Sequence, residues 1–326
     1  MEDGMFQIRT DLALEKQEQL KKGKKTLHGV QLFEEKRKTD TNISTVVIET
    51  ENAARILHRP RGTYMTLENP GMTEEDGEYH REISEEVANC IRRLLPFSND
   101  SEDLKKELEC SVLVVGLGNR DVTPDSLGPA VVENLCITRH ILKEFGKYAF
   151  GSEHTSKISA IVPGVMAQTG MECLEIIKGI VSQTKPDVMI AVDALAARST
   201  KRLGRTIQLT DTGIIPGSGI GNHRNAIDEK SVGIPVISIG VPTVVDAATI
   251  VSDAMSDFID AMTEEQISMI QKTAPKELAQ NLLSPQLYSM FVTPKDVDES
   301  VRQLSFLISE AINIAFLGNK EQTSPI

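Results

Sequence analysis

The sequence predicts an α/β protein, a largely parallel sheet flanked by helices with additional N-terminal strands. Three observations carry this. Four short runs, SVLVVGL (111–117), ISAIVPG (158–164), DVMIAVD (187–193) and IPVISIG (234–240), are nearly continuous in aliphatic residues instead of alternating, the pattern of strands buried on both faces. Helix-length segments at 129–143, 170–183, 244–262 and 296–316 fall between or after them. Strand and helix patterns thus alternate, which parallel crossover connections require.

The elements follow in chain order. The first 40 residues are polar and rich in Lys and Glu, so a segment reaching to about residue 28 is expected to be mobile or helical and weakly attached. ISTVVIET (43–50) reads as a strand that pairs with GVQLFEE (29–35) or GTYMTLE (62–68). From Thr73 a helix is expected, because Ile83, Val87, Ile91 and Leu94 recur at helical spacing behind an acidic first turn. TIQLTD (206–211) adds a further strand, and 213–221 is a glycine-rich turn region.

Composition bounds the function. A chain of 326 residues buries a substantial core, and with 4% aromatics and no Trp that core is aliphatic. A net charge of −12 argues against direct nucleic-acid binding, which needs clustered Lys and Arg. The N-terminus has no secretion-signal pattern and no apolar run is long enough for a bilayer, so a cytoplasmic protein without membrane attachment is expected. Cys90, Cys110, Cys136 and Cys173 contain no Cys-x-x-Cys pair and read as reduced, structural core thiols. Scattered histidines offer no dedicated zinc site.

In open parallel sheets ligands bind beyond the carboxyl ends of strands. Asp193 closes DVMIAVD and Asp125 lies in the loop leaving SVLVVGL, so the two could share a site. Each also has a plainer role: Asp193 as the cap of a helix-like ALAARS, Asp125 within turn-forming Thr-Pro-Asp-Ser. That same loop, GLGNRDVTPDSLG, begins like a phosphate site at Gly116 and Gly118 but has no third glycine and no Gly-Lys-Ser/Thr, and Asp121 and Asp125 would repel a phosphate. Asp211-Thr212-Gly213 repeats the tripeptide of pepsin-like proteases, which are all-β and need two copies; a strand-ending turn explains the single copy here. Ser199 and Ser218 lack a Gly-x-Ser-x-Gly elbow, and His140 reads as structural. Arg198, Lys201 and Arg202 follow Asp193 closely and could hold an acidic substrate side chain or remain solvated.

Taken together, VVGLGNRDVTPDSLGP, NLCITRH, SAIVPGVMAQTG, AVDALAARS, DTGIIPGSGIGN, GIPVISIGVPTVVDA and FVTPKDVD resemble the germination protease family of endospore-forming bacteria, over nearly the whole chain. Between VPTVVDA and FVTPK, around 263–290, the chain is shorter than the family pattern. The resemblance implies a fold like that of hydrogenase maturation peptidases and an atypical aspartic endopeptidase made as a zymogen. It further implies a homotetramer in the forespore or spore core that degrades small acid-soluble spore proteins during germination, with no cofactor. Its two essential aspartates fall on Asp125 and Asp193. The family cuts at Thr/Ser-Glu, then Ile or Phe, Ala, Ser or Gly, Glu, after the first acidic residue; Thr10-Asp11-Leu12-Ala13-Leu14-Glu15 looks like a built-in copy. Self-cleavage between Asp11 and Leu12 is therefore expected, making 1–11 a propeptide and 12–326 one peptidase domain. An acid at the cut needs a basic subsite, for which Arg198 or Lys201 is the candidate. Two alternatives stand beside this reading: a metal-dependent peptidase using Asp125, Asp193 and a histidine such as His140, and a non-catalytic nucleotide- or phosphate-binding module using Gly116 and Gly118.

Overall fold

A computed structural model describes residues 10–22, 28–37, 39–73, 77–97, 109–150, 155–217, 224–260, 287 and 290–317. Ser218, most of the 263–290 stretch and residues 1–9 of the expected propeptide lie outside the described residues. A nine-stranded sheet organises the chain, in the order β1-β2-β3-β7-β8-β6-β4-β5 with β9 added to β8. Strands β4 (Ser111–Gly116), β5 (Lys157–Ile161), β6 (Val188–Ala197) and β8 (Val236–Asp246) form the parallel half, as their unbroken aliphatic runs require. Onto β8 the antiparallel half is built from β7 (Thr206–Thr210), β3 (Gly62–Glu68), β2 (Asn42–Ile48) and β1 (Val30–Lys36). Strand β2 pairs with both of its candidate neighbours. The short β9 (Phe291–Val292) pairs with the end of β8.

Helices cover both faces. On one, α3 (Gly77–Leu94), α4 (Leu127–Glu133) and the long α10 (Val297–Leu317) bury Ile83, Val87, Leu127, Leu307 and Ile308 against Val114, Ile190, Val192 and Ile239. On the other, α7 (Cys173–Thr184) sets Ile177 and Val181 against Leu113, Val115, Met189 and Ala191. A short α2 (Glu51–Leu57) is capped by Thr50 and packs with the outer strands through Ala53 and Leu57.

Four expectations change. The stretch 129–143 is two helices, α4 and α5 (Arg139–Phe145), because the backbone between them bonds elsewhere: Cys136 N–H to Asn313 Oδ1 at 3.1 Å and Thr138 N–H to Ile158 O at 3.1 Å. Helix α9 (Ala247–Asp260) begins after Asp246, since 244–246 complete β8. Asp193 does not end its strand; ALAA continues β6, as its pairing partners Val241 to Val245 on β8 override the helical propensity of Ala and Leu. And the N-terminal segment is not weakly attached throughout. Thr10 to Glu15 are buried, and α1 (Ala13–Lys22) begins inside that stretch. In addition, none of the four cysteines forms a disulfide; Cys90, Cys110 and Cys173 are buried as expected, whereas Cys136 is exposed and so is not a core thiol. Among the described residues no helix is long and apolar enough to cross a membrane.

Candidate active site

The glycines leaving β4 let backbone approach backbone. A Cβ on Gly116 would stand 2.3 Å from the Gly128 carbonyl oxygen, and one on Gly128 would stand 2.3 Å from Leu117 O and 2.6 Å from Val192 O. Helix α4 therefore starts directly against β4 and β6. Gly118 has φ +110°, and a Cβ there would lie 2.0 Å from the carbonyl oxygen of Asp125. The loop closes through the Asn119 N–H, which donates to Asp125 O at 3.1 Å and to Asp125 Oδ2 at 2.8 Å. Thr123–Asp125 is a 3₁₀ turn, held to β8 by the Thr243 hydroxyl, which donates to Pro124 O at 2.7 Å. Sequence and packing thus bring Asp125 over the middle of the sheet.

Asp193 lies there, 4% exposed, with Oδ1 accepting from the Ala194 N–H at 3.0 Å. Burial, then the charge of Asp125, then that of Asp11 push its carboxyl well above the ordinary range, against the Ala194 N–H and Arg224. Burial also raises Asp125, opposed by the Asn119 N–H and by Arg224. Both carboxyls are thus raised, Asp193 the further, and the two titrate as a coupled pair.

A peptide lies beside Asp193, close enough for the Asp11 charge to act on it: residues 10–15 of the chain itself. The Asp11 N–H donates to Ala196 O at 2.9 Å, and the Ala196 N–H returns a bond to Asp11 Oδ2 at 2.9 Å. Gln208 on β7 bonds the segment from the other side, so the segment crosses β8. Leu12, fully buried, packs with Leu195, Ala197 and Val245. Arg59 donates to Thr10 O at 2.9 Å and lies 3.9 Å from the Asp11 carboxylate. Glu15 is also buried. Its carboxylate accepts from the N–H groups of Arg198 (2.8 Å) and Ser199 (3.1 Å) and from the Thr10 hydroxyl, and pairs with Arg202 at 3.2 Å. Glu68 on β3 orients that arginine at 2.8 Å.

Basic residues flank both acids of the segment. Arg59 faces Asp11, while Arg198 reaches Glu15 through its backbone, and the exposed Lys201 sits in the 3₁₀ turn Thr200–Arg202, its N–H bonded to Ser199 Oγ at 3.4 Å. Ser199 caps that turn. Arg59, Gln208 and Arg224 had no local signal; each reaches the site only through sheet order or a distant loop.

Other candidates fall outside the site. Asp121 Oδ2 and Asn119 Oδ1 share the Gln168 amide, both at 3.0 Å, an exposed loop clamp. Asp211 Oδ1 accepts from the Thr63 N–H at 2.8 Å, which makes it a tie between β7 and β3. His140 is exposed on α5, which packs against β5 at the sheet edge. Among the described residues no three His, Cys, Asp or Glu side chains gather as metal ligands. Nor do the glycines at 116 and 118 frame an open cradle, since Gly128 and Asp125 fill the space beside them.

Two carboxyls with raised pKa values, one of them buried, beside a peptide laid across a sheet suit a peptide hydrolase. Residues 8–266 match the family model described as germination protease, and the chain belongs to the germination protease family; it is a peptidase. It is 42% identical over 317 residues to the germination protease of Caldanaerobacter subterraneus subsp. tengcongensis, covering 94% of each chain. It is 40% identical over 326 residues to that of Clostridium perfringens strain SM101 (97% of each), and 36% identical over 352 aligned positions to that of Bacillus mycoides (95% of this chain, 94% of the relative). The crystal structure of a [NiFe] hydrogenase maturation protease, HycI from Thermococcus kodakarensis KOD1, is similar at a TM-score of 0.30 and 15% identity, covering 64% of this chain and 98% of that one.

Proposed function

We propose that this peptidase is an aspartic endopeptidase zymogen that cuts itself between Asp11 and Leu12 and thereafter degrades small acid-soluble spore proteins during germination, as a homotetramer in the spore core. One observation supports the self-cleavage: the Thr10–Glu15 segment is buried against β6 and β7, close enough for the Asp11 charge to act on Asp193. Burial of a polar stretch is unfavourable unless its groups are paired, and here groups of Asp11, Ala13 and Glu15 meet partners on β6, β7 or the turn after β6, while Thr10 O meets Arg59. Such a fit supports recognition of the stretch as a substrate.

The chemistry follows from the unequal acids. Asp125, ionised, takes a proton from water as its oxygen adds to the Asp11 carbonyl carbon, and neutral Asp193 gives its proton to the carbonyl oxygen. In the second step the Leu12 nitrogen takes the proton from Asp125 as the C–N bond breaks, and Asp193 recovers a proton from the former water's hydroxyl. Both acids return to their starting states, and the rate depends on pH in a bell shape. Incubating the purified protein at mildly acidic pH and following its intact mass tests this. Residues 1–11 are lost, and Asp125→Asn and Asp193→Asn abolish the loss; an active Asp193→Asn protein overturns the mechanism.

A further inference from the structure

Gln208 is a buried amide within the sheet, its backbone fixed on both sides by register with Thr66 on β3 and Gly240 on β8. Through Gly240 it shares a row with Asp193 on β6, and so the same face of the sheet. Between Asp193 and Gln208 the row contributes only the hydrogen of Gly240, and the Leu195 side chain fills the space above it. Gln208 makes two hydrogen bonds to the docked segment. Its Nε2 donates to Asp11 O at 3.0 Å and its Oε1 accepts from the Ala13 N–H at 2.7 Å. The orientation of the amide is fixed by its partners, because a backbone N–H can only donate and a backbone carbonyl can only accept. The NH₂ end therefore faces the carbonyl oxygen of residue 11.

Together the two bonds straddle Leu12, one on the 11–12 peptide and one on the 12–13 peptide. Resting on the reading that this peptide is the one cut, we infer that Gln208 is a catalytic residue that aligns the reacting carbonyl and stabilises the oxygen as negative charge develops on it. It transfers no proton. Its N–H bond to the oxygen strengthens as the carbonyl carbon becomes tetrahedral, the differential stabilisation that accelerates a step. The backbone N–H bonds to Asp11 and Glu15 bind the segment equally before and during reaction.

Gln208→Glu separates the two bonds. Glutamate keeps an acceptor for the Ala13 N–H, but donates to the carbonyl only when protonated. In the full chain, with self-processing followed by intact mass across pH, Gln208→Glu is expected to be slower than the parent by about 100-fold at neutral pH, the order of loss when one such donor is removed. The deficit shrinks as pH falls through the range where the new carboxyl gains its proton. Gln208→Met, which has similar length and no donor, is slow at every pH, and serves as the second variant where glutamate perturbs folding. Amide hydrogen exchange over residues 10–22 reports whether the segment stays docked. A Gln208→Glu protein that follows the parent's profile, or that is slowed by the same factor at all pH values, overturns the role of Gln208. A parent protein that cuts at another bond, or at none, overturns the self-cleavage reading and this inference with it, and the two failures are told apart by the parent's mass alone.

Discussion

At the scale of single residues, Arg224 opposes the upward push on both aspartates. Its guanidinium lowers Asp125 and Asp193 together, against burial that raises both. Removing it should move both carboxyls up, so the whole bell of self-processing against pH shifts to higher pH in Arg224→Gln, while Arg224→Lys, which keeps the charge, restores most of the parent profile. A pH–rate series on the three proteins checks this, and an unmoved Arg224→Gln profile removes Arg224 from the site. No reading of GNHRN alone selects this arginine: its neighbours are polar, and its distance from Asp193 in sequence says nothing about their distance in space. Asp125 and Asp193 were legible for the opposite reason. Each follows an aliphatic run that can only be a buried strand, and parallel topology gathers such positions at one edge.

At the scale of elements, the strand–loop–helix unit β4–α4 does what a glycine-rich phosphate loop does elsewhere, close packing, to a different end. Gly118→Ala places a methyl 2.0 Å from the Asp125 carbonyl oxygen at φ +110°, so the turn carrying Asp125 must move. The expected cost is about 1–3 kcal/mol of stability, with self-processing falling well beyond what that loss explains. Gly179→Ala is the control: it lies exposed in α7 with nothing within 4 Å of the added carbon, and should be stabilising by about 0.5–1 kcal/mol. Urea unfolding beside the mass assay separates the two effects. The purpose of these glycines was legible only in part, because the sequence displays their flexibility and not the backbone they approach. The same limit hid the length of β6. Ala194 to Ala197 favour a helix in isolation, and it is the adjacent β8, more than forty residues later in the chain, that draws them into a strand and so places Asp193 mid-strand. The docked segment was hidden likewise: its polar composition suggests solvent, while its partners lie on β6, β7 and the loop before β3.

At the scale of the whole molecule, the raised carboxyls make folding depend on pH in a direction opposite to that of a salt-bridged carboxylate. Asp193, Asp125 and Asp211 are all raised above their unfolded values, so between the unfolded and folded values the folded protein holds more protons than the unfolded chain. The stability they favour is present below the unfolded value and is lost as pH rises through the folded values. Lys16, beside the docked segment, has the reverse sign: burial first, then Arg59, lower it from 10.5 to about 8, against the opposing charge of Asp11, so the unfolded chain holds more protons between about pH 8 and 10.5 and stability rises across that window. Asp193→Asn isolates the largest contribution, since the amide has the shape of the protonated acid and cannot ionise. The melting temperature of Asp193→Asn should match the parent's at pH 4 to 5 and exceed it at pH 8 by about 2 °C or more, as each unit of upward shift costs about 1.4 kcal/mol above it. Scanning both proteins by calorimetry from pH 4 to 8 checks the sign. A parent whose stability rises toward pH 8, or an asparagine variant that is less stable there, would mean that Asp193 is ionised in the folded protein, and the assignment of Asp125 as base and Asp193 as acid would then have to be reversed.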